Sequence, residues 1–176
     1  DTFVGIAVSS YTADATKGVW EYQVGGAGAW VTLGSASTTA AVTLNAADLL
    51  RFVPLANYNG EATSLSANLV ETGLTLTSGS SINLTGATGG STRISSATVT
   101  LSETVTAVND APVASGAATL SAVNEDTASP TGATVSSLFG GAGNFSDTKD
   151  AVTGGSSADT FVGIAVSSYT ADATKG

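Results

Sequence analysis

Apolar and polar positions alternate in short stretches along this 176-residue chain, and turn residues interrupt the alternation throughout. Residues 2–8 are apolar and β-branched. In residues 19–24, Trp20, Tyr22 and Val24 fall on one parity and Glu21 and Gln23 on the other. Gly25, Gly26 and Gly28 then supply a turn before residues 30–33, which predicts a β-hairpin. Residues 41–44 and 50–53 predict a second pair of short strands around 45–48. Pro54 ends the latter, because proline has no N–H to give to a ladder. Residues 57–60 form a turn, 64–71 a further strand, and 74–77 and 82–85 two short patches bounded by glycine and serine. The clearest period of two runs from 97 to 107. Ala97, Val99, Leu101, Val105 and Ala107 oppose Thr98, Thr100, Ser102, Thr104 and Thr106, so one face is expected to meet a core and the other water. Glu103 sits on the apolar parity, either where the strand ends and turns it outward or as a ligand for an ion. No long segment carries helical periodicity. Many short strands at close spacing predict an all-β fold, a sandwich of two sheets.

The same eighteen letters, DTFVGIAVSSYTADATKG, occupy positions 1–18 and 159–176 without a mismatch, an offset of 158 residues. That period exceeds the roughly 20–50 residues of a solenoid unit and matches a domain of about 50–250 residues. The chain is therefore expected to hold one period and the start of the next, cut from a longer array. Residues 108–113, with Asn109, Asp110 and Pro112, have the small and extended character of an interdomain joint. On that basis 1–107 is the C-terminal part of one module without its opening strands, and 114–176 is the N-terminal part of the next.

Composition removes several function classes. Fourteen Asp and Glu against five Lys and Arg give a net charge of −9. Nucleic acid and anionic membranes both require a basic footprint, so neither is an expected partner, and no apolar run is long enough to span a bilayer. Histidine and cysteine are absent, which excludes Ser/His/Asp and Cys/His catalysis, disulfides and ordinary transition-metal sites. No glycine cluster continues into a phosphate-binding Gly-Lys-Ser/Thr. Fourteen scattered acids always offer some carboxylate pair for glycoside hydrolysis, so that signal is empty. The expectation is a protein that is not an enzyme.

Four segments, in order, resemble a known group. Gly18, Trp20 and Tyr22 followed by Gly25, Gly26 and Trp30 are similar to a G-x-W-x-Y…GG…W hairpin. The run LRFVP at 50–54 with NYNG at 57–60 is similar to a second motif. The run VTAVNDAPV at 105–113 is similar to a closing joint. Residues 120–126, with Leu138, Phe139, Phe145, Ser146 and Asp147, are similar to a module opening. Together they resemble the long Ig-like or cadherin-like repeats of giant bacterial adhesins exported by type I secretion, the RTX-type surface proteins. The resemblance implies an Ig-like or cadherin-like β-sandwich tandem repeat of period 158, at the cell surface or outside the cell. It would act as a structural spacer whose partners are neighbouring copies of itself. A calcium-dependent module that binds carbohydrate or another surface is the alternative.

Calcium is the one cofactor that the residues suggest, since it takes six to eight oxygen ligands from carboxylates and carbonyls on loops. Acids gather near the joint: Asp110, Glu125, Asp126, Asp147, Asp150 and Asp159, with Asn109 beside them and Glu103 just before. In cadherins, which this joint resembles, linker acids bind calcium and stiffen the rod. Here Ala107 and Ala111 stand where that linker carries Asp and Asn, which argues against a full three-ion site. Residues 154–162 also resemble the calcium-binding nonapeptide G-G-x-G-x-D-x-U-x, with Ser157 in place of the third glycine. Trp20, Tyr22 and Trp30 have two readings: core anchors, or a platform for a sugar ring.

Overall fold

A computed structural model of the chain describes residues 1–152, 155–156 and 159–174. It forms two compact units, Asp1–Ala107 with Val152–Ser156, and Val108–Ala151 with Ser157–Gly176. Strands dominate, and among the described residues the one α-helix is five residues long. The all-β expectation holds at that level.

In the first unit the strands are β1 (Phe3–Ser10), β2 (Gly18–Gln23), β3 (Val31–Thr32), β4 (Ala41–Asn45) and β5 (Leu49–Pro54). They continue as β6 (Gly60–Glu61), β7 (Leu65–Glu71), β8 (Ser81–Ile82), β9 (Ile94–Leu101) and β10 (Thr104–Val105). Five strands form one antiparallel sheet in the order β8-β4-β1-β7-β9, and three form another in the order β3-β2-β5. The two sheets share a core. Val8 and Tyr11 from the first strand and its exit meet Trp20 and Tyr22 of β2, together with Leu33, Leu44, Leu65 and Ala67. Trp20 packs edge-on against Phe52 at 5.6 Å and donates its indole N–H to the Thr63 carbonyl at 2.7 Å. The outer face of the large sheet has its own cluster: Ala7, Ala41, Val70, Leu84 and Ile94, with Leu76 and Ile82 packed against it.

The hairpin around Gly25 and Gly26 forms as expected, Glu21 pairing with Thr32 and Tyr22 with Val31, and both glycines have positive φ. Three local expectations are corrected. Residues 41–44 and 50–53 are both strands, but not partners: β4 pairs with β1 and β8, β5 with β2, and the turn at 45–48 carries the chain from one sheet to the other. Asp48 holds that crossover by accepting from the N–H groups of Gly25 and Asn45. Residues 74–77 form no strand, because Leu76 is drawn over the outer face of β1 and β4 and the Thr43 hydroxyl caps the Thr77 carbonyl at 2.7 Å. Finally, both parities of residues 96–101 are exposed. Val99 and Leu101 pair with buried Ala67 and Leu65 and so share their inward face, yet β9 is an edge strand of a five-stranded sheet facing one of only three. The shorter sheet leaves that margin uncovered.

The second unit is sparser. β11 (Val113–Ala114) pairs with β12 (Phe145–Ser146), and α1 (Val135–Phe139) is capped by Thr134, whose hydroxyl accepts from Ser137 N–H. Two further short strands, β13 (Ala151–Val152) and β14 (Gly155–Ser156), pair with each other, and residues 152–156 count with the first unit. Residues 159–174, which repeat 1–16, form no strand. Val8 is 0% exposed and its counterpart Val166 73%; Tyr11 is 2% exposed and Tyr169 79%. One local feature does recur. Asp14 accepts from the N–H and hydroxyl of Thr16, and Asp172 accepts in the same way from Thr174. Those two bonds from Thr16, the hydroxyl's first, hold the Asp14 carboxyl below its ordinary range, with Lys17 helping.

Two pairs of variants test this packing. Trp20→Ala should cost about 3–5 kcal/mol in denaturant unfolding, as removal of a large buried aromatic usually does. Trp30→Ala should cost about 1 kcal/mol or less, since Trp30 is half-buried and meets the Arg51 guanidinium 4.0 Å from its ring. A Cβ on Gly5 would stand 2.2 Å from the Leu44 carbonyl oxygen, whereas one on Gly163 would meet nothing within 4 Å. Gly5→Ala should therefore lower stability by about 1–3 kcal/mol, and Gly163→Ala should leave the same unfolding curve unchanged.

Candidate functional site

In the second unit a cleft of about 530 Å³ runs along β11 and β12 and is continued by residues 159–164. Its frame is local. Ser115 donates its N–H to the Asn144 carbonyl at 3.0 Å, and the Asn144 side-chain amide donates back to the Ser115 carbonyl at 3.0 Å. Gly116 permits that approach: its φ is +67°, and a Cβ there would lie 2.6 Å from the Gly143 carbonyl oxygen. Phe145 and Phe161 meet edge to face at 5.6 Å, so the start of the second copy of the repeated segment is anchored against β12.

Four of the acids expected to act together lie in this unit as two pairs. Asp150 is buried, and both of its oxygens accept from the N–H of Asp110, at 3.0 and 3.2 Å. Asp147 accepts from the N–H of Asp159 through Oδ2 at 2.7 Å, while its Oδ1 is enclosed without a hydrogen-bond partner. Asn109, Asp110, Asp147 and Asp159 all line the cleft. The other acids do not line the cleft. Glu125 and Asp126 form an exposed turn, Asp126 with φ of +64°. Glu103 belongs to the first unit, exposed between β9 and β10, where its carbonyl accepts from Ala62 N–H. Among the described residues no three His, Cys, Asp or Glu side chains converge on a point where an ion would sit. Residues 153, 154, 157 and 158 of the nonapeptide-like stretch and its approach lie outside the described residues.

The chemistry these pairs perform is bracing: each carboxylate fixes a backbone N–H distant in sequence, 110 to 150 and 147 to 159. Such charge-assisted bonds are stronger than neutral ones. Neither pairing has a local signal, because the partners are 40 and 12 residues apart and no periodicity links them. The free lone pairs of Asp147 Oδ1 suit a hard cation, but calcium asks for six to eight oxygens. On the hairpin Trp20 and Tyr22 are buried in the core and Arg51 lies over one face of Trp30. Among the described residues no helix is long and apolar enough to cross a membrane. Comparison with known proteins found no family model, no curated protein and no solved structure that matches this chain.

Proposed function

We propose that this chain is one period and the start of the next of an Ig-like or cadherin-like spacer repeat, in a large secreted or cell-surface bacterial adhesin or extracellular fibre. The observation that carries the reading is the recurrence of eighteen residues at an offset of 158, the first copy serving as the central strand of a sheet. The path of the chain through the first unit supports it. β1 is antiparallel to β7 and β7 to β9, so β1 and β9 run the same way. Phe3 lies level with Glu71 at one end, and Leu101 with Leu65 at the other, so the chain enters and leaves at opposite ends of the sheet. Eight residues of strand span roughly 25 Å, and such a module adds length with each copy. The absence of His and Cys agrees with a role that needs no catalysis.

A second reading, a calcium-dependent module, is favoured by Asp147 Oδ1 alone. Here the ion would stiffen the acidic stretch of the second unit, and surface recognition would follow from that order.

Chains of one, two and three periods should show a maximum dimension in small-angle X-ray scattering that rises in near-equal steps. A dimension that stays almost constant as copies are added would sink the spacer reading. For calcium, melting is compared in excess ion and in chelator. An ion bound only by the folded state stabilises by about 2.7 kcal/mol at a hundredfold excess over its dissociation constant, and Asp147→Asn should abolish the shift. Superimposable melts of the unaltered chain would dismiss the ion.

A further inference from the structure

An asparagine two places before a serine or threonine, with no proline between them, is the acceptor triplet for an N-linked sugar. The chain carries it twice, as Asn83-Leu84-Thr85 and as Asn144-Phe145-Ser146, and the two stand in opposite surroundings. β8 ends at Ile82, which pairs with Ala41 and packs on the outer cluster of the large sheet. Leu84 is buried in that same cluster, and its N–H donates to the Thr38 carbonyl at 2.9 Å. With both neighbours held inward, Asn83 is turned out to solvent, and Thr85 is exposed beside it. The Asn83 Oδ1 accepts from the Thr85 N–H at 2.9 Å, which closes a small turn and fixes the amide. Its Nδ2, the atom that would carry the sugar, has no hydrogen bond to any described residue. At Asn144 the same atom is taken. It donates to the Ser115 carbonyl at 3.0 Å, while the Asn144 carbonyl accepts the Ser115 N–H at 3.0 Å. Phe145 and Ser146 then enter β12 and pair with Ala114 and Val113. A sugar on Asn144 therefore requires the bond to Ser115 to break, beside a strand that holds the next two residues.

We propose that Asn83 is an acceptor for N-linked glycosylation, and that the fold closes Asn144 to it despite the same sequence signal. The donor is a glycosyl diphosphate, and an external transferase carries out the transfer. The Asn83 Nδ2 attacks the anomeric carbon, so a C–N bond forms as the bond from that carbon to the diphosphate oxygen breaks. The diphosphate leaves with the bonding pair, and one Nδ2 proton passes to a base of the transferase. No bond within the chain is lost, because the Asn83 Nδ2 makes none among the described residues. The position also gives the sugar a use. β8 is an edge strand of the five-stranded sheet, and Asn83 follows its last residue. An open edge invites pairing with another chain, and a bulky, solubilising group beside it keeps such chains away. The site is independent of the repeat reading and stands or falls separately from it.

The folded chain and its complete tryptic digest are each treated in two arms. One holds a soluble N-glycosyltransferase with UDP-glucose, the other an oligosaccharyltransferase with a polyprenyl-diphosphate oligosaccharide. Cleavage after Lys and Arg leaves the two acceptors on separate peptides, 52–93 and 94–149, freed from the fold. Occupancy of each asparagine is read by mass spectrometry, and the arm that succeeds identifies the donor. Breaking a hydrogen bond and leaving its acceptor unmatched is worth about tenfold or more. Asn83 should therefore be modified faster than Asn144 by at least that factor in the folded chain, and at a similar rate in the digest. Asn83→Gln and Thr85→Ala should each abolish modification of the folded chain, and Asn144→Gln should leave it unchanged. Equal modification of the two asparagines in the folded chain, or none at Asn83 in either arm, overturns the proposal.

Discussion

Burial of β1 on both faces and hydrogen bonding on both its edges is the condition on which the first unit rests. Ordering a residue costs about 1–2 kcal/mol of backbone entropy, and burying an aliphatic side chain returns about 1.5–3 kcal/mol. An eight-residue strand with small residues at Gly5, Ala7, Ser9 and Ser10 cannot meet that cost from its side chains alone. It needs two ladders, the Trp20 core beneath and the Leu76–Leu84 cover above. Polar groups beside β1 are matched as well: the Ser9 hydroxyl donates to Asn68 Oδ1 at 2.8 Å, and the Asn68 amide donates to the Ser95 carbonyl at 2.8 Å. Take away the ladders and the same residues stay irregular, as the second copy does.

That contrast also marks what was legible in the sequence. Strand identity was plain wherever periodicity of two met turn chemistry, as in β2 and its glycine turn or in β7. Pairing was not, because a short linker such as 45–48 serves equally for a hairpin or for a crossover between sheets. The deciding contacts come from Asp48, which reaches Gly25 from 23 residues away. Burial failed at Val99 and Leu101 for a related reason. Alternation tells which face a residue takes, and says nothing about whether another sheet extends far enough to cover it.

The candidate site divides along the same line. Acid density drew notice to Asp110, Asp147, Asp150 and Asp159, of which the Asp150 and Asp147 carboxylates accept from the backbone N–H groups of Asp110 and Asp159. Nothing in the chain separated them from Glu125, Asp126 or Glu103, whose carboxylates lie away from the cleft. The Asp14–Thr16 turn is the opposite case. It reappears at Asp172 and Thr174 although the surrounding strand does not, so it is encoded within three residues.

The parallel course of β1 and β9 has a mechanical consequence. A pull on the two ends of the first unit would enter at Phe3 and pass out beyond Leu101 through β10, parallel to β1 and β9. Antiparallel ladder bonds run across the strands, so tension loads the bonds from β1 to β4 and to β7 together in shear, instead of peeling them in succession. Rupture then requires the whole strand to slide at once, with the Trp20 core gripping its inner face. Under such a pull the central strand is the place where the first unit would resist.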